Sequence, residues 1–470
     1  MQALRNLLKT ESPKDMQMEI SSRPASGMRD FLADDVKRRQ WVIKQITHAY
    51  QDYGFEPLET PAIERLDVLT GKYGDEGDQL MFKLLVRGDK LNDIDPDDPT
   101  TMTDMALHYD LTVPLARVFA EYQHELPKFY KRYQIQPVWR ADRPQKGRFR
   151  EFYQCDVDYV GTDSSIAELE VLGAMLDAMN RLSFSNLNVR INDRRILGAV
   201  LKAAAIDDEK SEAVLTLIDK LDKIGKDGVI SKLQNDVGLT GEQLEDLTAL
   251  IPGLGDKPAA QPFKHLGREL ETRGAATEAL ERMETLVESV KGEAFDGQRI
   301  VFDPTLVRGM SYYTGPIFEF GSPEFDGSIA GGGRYDGLVG MFSGKDVPAV
   351  GGSLGLERIL VIMDELDMFP TVSQSLDVLF VQLDDKALPH VFRAASSLRK
   401  EGFSVSVYPE STKLGKQFRY AESIGARYVA LLGSREVEAG TVEIKDLETG
   451  NQEAVPADEV SSYVKKLPGT

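Results

Sequence analysis

Between Asp34 and Tyr53, Val42, Ile46, Ala49 and Tyr53 recur at helical spacing, and Gly54 supplies a stop. This segment is predicted to be an amphipathic helix. Pro57 and Pro61 then enforce an extended run. From 129 to 160 the period drops to two. Tyr133, Ile135 and Trp139 alternate with Gln134, Gln136 and Arg140, and Phe149, Tyr153, Cys155, Val157 and Tyr159 alternate with Arg150, Gln154, Asp156 and Asp158. The turn-rich stretch Asp142-Arg143-Pro144-Gln145-Lys146-Gly147-Arg148 joins the two halves. The pattern predicts a long antiparallel hairpin whose polar face gathers Arg140, Arg150, Gln154 and Asp158. Such a face is either a ligand-lined floor or a solvated surface.

A second helix is predicted over 163–182, with Asp163 as N-cap and Ile166, Leu169, Leu172, Leu176 and Met179 as its apolar stripe. Residues 194–292 are helical in pattern throughout, broken at Pro252-Gly253-Leu254-Gly255, and read as an inserted helical domain. Strand-like, glycine-rich segments return over 298–355, and a helix over Leu356–Leu366 precedes a linker near Pro370–Ser375. The last stretch alternates strand and helix: Val378–Leu383, 386–401, Phe403–Val407, 413–424 and Tyr428–Leu432. A hairpin of Thr441–Ile444 and Glu453–Val455 turns at Thr449-Gly450. That alternation predicts a small α/β domain on a mostly parallel core.

Composition adds constraints. The chain has 470 residues, 41% hydrophobic and 28% charged, enough to bury the cores of several domains. Its net charge of −20 argues, taken globally, against a protein that works mainly along nucleic acid. The charge is unevenly spread, however. Residues 88–104 hold six Asp against Lys90 alone, whereas Lys128–Arg150 carries +7 and Lys386–Arg435 carries +6. The two basic stretches are either chance fluctuation or two grips on one polyanion. Cys155 is the sole cysteine, which leaves no internal disulfide and no Cys-rich zinc site. No run of about 18 apolar residues suggests a membrane span, and the polar residues 1–22 lack the apolar stretch of a secretory leader. The expectation is a soluble protein of a reducing compartment with a poorly ordered N-terminal arm.

Four segments are rich in chemistry-bearing residues. Gly331-Gly332-Gly333-Arg334-Tyr335-Asp336-Gly337 fits neither the dinucleotide fingerprint nor the P-loop. Val350-Gly351-Gly352-Ser353-Leu354-Gly355-Leu356-Glu357-Arg358 reads as a small-residue strand entering a helix, where a flat ring could lie against backbone and Arg358 could grip a phosphate. Tight packing explains either glycine run equally well. Leu306–Gly315 places Arg308, Tyr312 and Tyr313 before an alternating strand, Pro316–Phe320, as an anion site would. Leu107–Pro114 places Asp110 and Thr112 before a helix, where an N-cap is the simpler reading.

Together these segments resemble the histidyl-tRNA synthetases, over about residues 23–465. Three class II synthetase motifs are present: the extended Pro61, the hairpin with Arg140 on its first strand, and Gly355-Leu356-Glu357-Arg358 opening a helix. The histidine-specific segments resemble Leu306–Gly315 and Ala330–Leu338. The resemblance implies an α+β fold: an antiparallel, six-stranded class II catalytic domain (23–193 and 293–370), a helical insertion (194–292) and a C-terminal α/β anticodon-binding domain (376–470), usually as a cytoplasmic homodimer. It implies activation of L-histidine by ATP with magnesium, without zinc, and transfer to the terminal adenosine of tRNA-His. By resemblance, Arg140 and Arg358 hold the α- and γ-phosphates, with Asp142 and Arg148 in the same ATP site. Arg308 bridges the histidine carboxylate and α-phosphate. Asp110, Thr112 and Gln154 hold the ammonium, Asp158 and Tyr313 the two ring nitrogens, and Tyr312 and Tyr335 complete the pocket. Arg143 and Gln145 face the tRNA acceptor end, and Lys413, Lys416, Gln417 and Arg419 the anticodon. One departure is Ser311, where many members have Asp. Non-catalytic relatives, such as synthetase-like regulatory subunits of histidine biosynthesis, usually lack the terminal domain and part of the arginine set.

Overall fold

The first periodic segment forms a helix, Ala33–Asp52, that buries Val42, Ile46, Ala49 and Tyr50. Each fully buried aliphatic side chain there contributes about 1.5–3 kcal/mol. Tyr50 is fixed by donating its hydroxyl to the Cys155 carbonyl at 2.9 Å. These positions come from a computed structural model that describes residues 21–95, 97–145, 147–251, 253–254, 261–290, 298–308, 312–370 and 376–466. Ser311, nearly all of the 1–22 arm, Pro252 and Gly255 of the breaker, and linker residues 371–375 lie outside the described residues.

The chain forms two compact units, residues 1–369 and 370–470. In the first, four short strands come early: β1 (Glu56–Pro57), β2 (Ile63–Arg65), β3 (Lys83–Leu85) and β4 (Thr103–Leu107). The predicted hairpin is β5 (Tyr130–Trp139) and β6 (Glu151–Val160), in antiparallel register from Tyr130 opposite Val160 to Trp139 opposite Glu151. Then come β7 (Asn188–Asp193), β8 (Arg299–Phe302), β9 (Pro316–Ser322), β10 (Phe325–Arg334) and β11 (Ala349–Gly355).

The main sheet has the order β1-β5-β6-β11-β10-β9-β7-β8. Its six inner strands are mutually antiparallel, as expected, while β1 and β8 join parallel at the edges. A separate three-stranded sheet, β2-β4-β3, takes in part of the acidic stretch. Six Asp with Pro96 and Pro99 predict one exposed loop there, yet the stretch contains two 3-10 turns and runs into β4 at Thr103.

Helices Ala33–Asp52 and Ile166–Arg181 cover one face of the large sheet. The latter begins after Ser165 rather than capping on Asp163. Glycine gives close approach here: a Cβ on Gly173 would sit 2.9 Å from the Tyr53 ring of the neighbouring helix. Residues 194–290 contain six helices among the described residues. They share a continuous core with the large sheet through residues such as Leu197, Leu247 and Leu286.

The second unit contains β12 (Leu376–Gln382), β13 (Val405–Val407), β14 (Ala426–Leu432), β15 (Thr441–Asp446) and β16 (Gln452–Pro456), ordered β13-β12-β14-β15-β16. The three inner-chain strands are parallel and the terminal hairpin antiparallel. No described helix of the chain is long and apolar enough to cross a membrane.

Candidate active site

Phe152, Gln154 and Asp156 of β6, with Arg140 just past the end of β5, face two adjoining cavities that share Arg140, Arg148, Gln154, Arg308, Gly331 and Ser353 as walls. The deeper one, about 300 Å³, is lined by Asp110, Thr112, Asp156, Tyr73, Tyr109, Tyr312, Tyr313 and Tyr335. The second, about 200 Å³, is lined by Asp142, Phe149, Phe152 and Arg358. One compartment is thus rich in carboxylate and phenol, and the next in guanidinium.

In the first compartment Asp110 is 1% exposed and sits at the entry to helix Thr112–Tyr122. Its carboxylate accepts from the Val113 N–H at 3.1 Å and from the hydroxyls of Tyr73 at 2.9 Å and Tyr312 at 3.4 Å. The same side chain braces the helix entry and lines the cavity. Gln154 donates to Asp156 at 3.1 Å and to Ser353 at 3.2 Å, and accepts from Arg140 at 3.3 Å.

Asp156 borders the cavity, while Asp158 lies just beneath, its carboxylate accepting from the Tyr335 hydroxyl. Arg132 Nη2 lies 2.9 Å from Asp158 Oδ2, but the angle is poor, and that oxygen makes no aligned hydrogen bond within the described structure. Burial is the main cause that pushes Asp156 up to about 7, with Arg132 opposing and Asp158 reinforcing. Burial likewise raises Asp158 against the pull of Arg132 and Tyr335, and raises Asp110.

Arginine dominates the second compartment. Arg140 packs over the Tyr109 ring at 4.2 Å and donates to the Tyr109 carbonyl at 3.0 Å. Arg148 pairs with Asp142 at 2.9 Å. Arg358 donates to the Ser328 carbonyl. Its pKa is lowered first by burial and then by the charges of Arg148 and Arg140. Mutual repulsion among these cations marks a place suited to a polyanion.

Arg308 has a left-handed backbone, φ 55°, which is uncommon for a non-glycine residue. It reaches the Phe318 carbonyl at 3.3 Å and Glu319 at 3.4 Å, and its buried Nε makes no hydrogen bond within the described structure. The glycine runs have a steric reason. A Cβ on Gly331 would fall 1.9 Å from Arg308 Nη1, and one on Gly351 would fall 1.8 Å from Asp158 Oδ1. These glycines make room for the site's own charged groups.

Glu357 is 3% exposed, paired with Arg39 at 2.9 Å and accepting the Tyr153 N–H at 2.9 Å. It ties the helix Leu356–Glu365 to β6 and to the first helix.

Arg140, Arg148, Gln154, Arg308, Arg358, Asp110, Thr112, Asp142, Tyr312, Tyr313 and Tyr335 therefore converge. Arg150 does not join them: it turns back to the Asp142 and Ser26 carbonyls at 3.1 and 3.3 Å. Arg143 and Gln145 are exposed on the hairpin connection. In the second unit Lys413, Lys416 and Arg419 are exposed, but Gln417 is not. It is fully buried, donating to the Gln382 and Thr412 carbonyls and accepting the Gln382 N–H, so its expected anticodon contact is corrected to a structural role. Sequence reasoning assigned no role to Arg132, Asp156, Ser353, Tyr73 and Tyr109. The first two continue the even-position alternation of the hairpin, and Ser353 lies in the glycine-rich strand. Tyr73 and Tyr109 carry no sequence signal and arrive by tertiary packing.

Comparison with known proteins agrees with this geometry. A family model described as histidyl-tRNA synthetase matches residues 27–359, and an anticodon binding domain matches 377–467. The histidine–tRNA ligase of Cytophaga hutchinsonii is 40% identical over 94% of this chain and 99% of its own length. That of Christiangramia forsetii is 38% identical over 93% and 98%. The crystal structure of histidyl-tRNA synthetase from Nostoc sp. PCC 7120 superposes with a TM-score of 0.77 at 28% identity, covering 95% of this chain and all of that one.

Proposed function

This chain belongs to the histidyl-tRNA synthetase family, and we propose that its paired cavities activate histidine and hand it to tRNA. The enzyme is an aminoacyl-tRNA ligase: histidine and ATP give histidyl-adenylate and pyrophosphate, and the histidyl group then passes to the 3′-terminal adenosine of tRNA-His. The observation that carries this reading is the shared wall between a carboxylate-phenol pocket and a four-arginine pocket.

The histidine carboxylate oxygen attacks the α-phosphorus, the bond to the bridging oxygen breaks, and pyrophosphate leaves with the electron pair. Negative charge accumulates in flight, so fixed cations, not a created nucleophile, lower the barrier. Arg140 holds the α-phosphate, Arg358 the γ-phosphate, and Arg148 with Asp142 steadies the chain between them. Arg308, on the wall common to both cavities, bridges carboxylate and α-phosphate. Phe149, Phe152 and the glycine-rich backbone of β11 offer flat surfaces to adenine.

Asp110, Thr112 and Gln154 receive the ammonium. Asp158 and Tyr313 bond the ring nitrogens, enclosed by Tyr312 and Tyr335. A pocket built to bond both ring nitrogens rejects analogues lacking them, because its own buried polar groups would be left unpaired. Magnesium enters on the phosphates of ATP; among the described residues no cluster of three or more His, Cys, Asp or Glu is arranged to hold a metal. Arg143 and Gln145 meet the acceptor end, and Lys413, Lys416 and Arg419 the anticodon. The enzyme works as a cytoplasmic homodimer.

Aminoacylation with labelled histidine tests the two-step reading. Transcripts bearing the histidine anticodon should be charged, and the triple variant Lys413→Ala, Lys416→Ala, Arg419→Ala should raise KM for tRNA while leaving ATP–pyrophosphate exchange unchanged. Charging of an unrelated transcript in preference would overturn the proposal.

A further inference from the structure

Arg132 is the most deeply buried arginine among the described residues, with no solvent exposure. It stands on β5 directly opposite Asp158 on β6. Its Nη2 lies 2.9 Å from Asp158 Oδ2 and 3.8 Å from Asp156 Oδ2. Nη1 donates to Gln134 at 3.0 Å, and Nη2 to the Leu111 carbonyl at 3.2 Å, between Asp110 and Thr112. One guanidinium therefore lies against both acids of the cavity floor and against the backbone that carries the third acid.

The charge around it is lopsided. Asp110, Asp156 and Asp158 are all 2% exposed or less. Most of the remaining groups near them are phenols, Tyr50, Tyr73, Tyr130, Tyr312, Tyr313 and Tyr335, whose pKa values burial raises, so they stay neutral. Burial also raises the Cys155 thiol and lowers the pKa of His108 beside Asp110, which keeps both neutral. Arg140, just past the end of β5, is committed to Tyr109 and Gln154. Arg132 is thus the cation in contact with both floor acids. A planar guanidinium can span two carboxylates, which a single ammonium cannot.

We propose that Arg132 is a positioning residue for amino-acid selection, holding Asp156 and Asp158 side by side so that the pocket floor offers the substrate a fixed pair of acceptors. The inference rests on the reading that Asp158 meets the substrate's ring, and it adds a residue that never touches the substrate.

Histidine-dependent ATP–pyrophosphate exchange by the full-length enzyme tests it, with Arg132→Lys, Asp158→Asn and the double variant Arg132→Gln, Asp158→Asn. Arg132→Lys should raise KM for histidine about tenfold or more while KM for ATP stays within about twofold. It should also move upward the pH below which KM for histidine rises, since the opposing pull of Arg132 on Asp156 is weakened. The double variant removes both charges of the closer pair and leaves Asp156, which burial lets take up a proton near pH 7, so it should keep its fold and its KM for ATP, with KM for histidine at least as high as in Asp158→Asn. An unchanged KM for histidine and an unshifted pH profile in Arg132→Lys would overturn the inference, as would equal rises in both KM values. A normal KM for histidine in Asp158→Asn would instead overturn the underlying assignment of Asp158.

Discussion

Arg308 and Gly331 are a pair that only makes sense together. The arginine occupies space that any other residue at 331 would fill, and its left-handed backbone aims it there. Arg308→Ala should lower exchange by about 10²–10³-fold, as loss of a preorganised charge at a reacting centre does, while ATP binding by titration is largely kept. Gly331→Ala should do nearly the same by displacing the guanidinium, with a stability cost of about 1–3 kcal/mol seen in thermal melts. Wild-type exchange by Gly331→Ala would contradict the steric account.

The floor acids add a pH dependence. Asp156 titrates near 7 in the folded enzyme, so it gains a proton as pH falls through that value and the floor loses negative charge facing a cationic ammonium. KM for histidine should therefore rise below about pH 7, and Asp156→Asn should flatten that rise. The same upward shift means that the folded state binds this proton more tightly than the unfolded chain. The group's contribution to stability is complete below its ordinary carboxylate range and is lost as pH climbs through about 7.

At the scale of elements, the fold turns on how helix ends are fastened to the sheet. The first helix reaches the last helix of its unit through two ion pairs of similar length. Arg39–Glu357 is at 2.9 Å with both side chains buried, and Arg38–Asp364 is at 2.6 Å with both exposed. Length does not rank them; burial does. Arg39→Met strands Glu357 in the interior and should cost about 3–5 kcal/mol. Arg38→Met should cost about 0.2–1 kcal/mol. Comparable melting temperatures for the two variants would contradict this.

The elements that the amino-acid sequence made legible are those whose period is long and whose face is uniform. The hairpin of β5 and β6 is one, with apolar positions over a helix and Gln154 and Asp156 of β6 toward the cavities. Strands β1 to β4 are two to five residues long, too short for a period to emerge, and they exist because neighbouring strands pair with them. Arg132 sat in plain alternation with Gln134 and Gln136, yet nothing in the pattern distinguishes an arginine facing two acids from one facing water. Gln417 misled for the opposite reason: it lies among exposed basic residues, but the helix turns its amide inward to close the end of β12.

For the whole molecule, a net charge of −20 does not preclude a polyanion partner, because acid and base are segregated along the chain. The acidic stretch is largely exposed, with Asp95 and Asp98 spent on bracing its own turns and Lys90 paired to Asp104 at 2.5 Å. An exposed surplus of carboxylates repels a polyanion. Replacing Asp89, Asp93 and Asp97 with Asn should therefore tighten binding of noncognate tRNA, most visibly at low salt, with charging of the cognate tRNA unchanged. Unaltered noncognate affinity at low salt would remove the acidic stretch from any part in discrimination.

The central claim, that the joined cavities activate histidine, is tested most directly by ATP–pyrophosphate exchange measured across the twenty amino acids. Exchange should depend on histidine and fall about 10²–10³-fold in Arg308→Ala. No exchange with histidine, or faster exchange with another amino acid, would contradict the account.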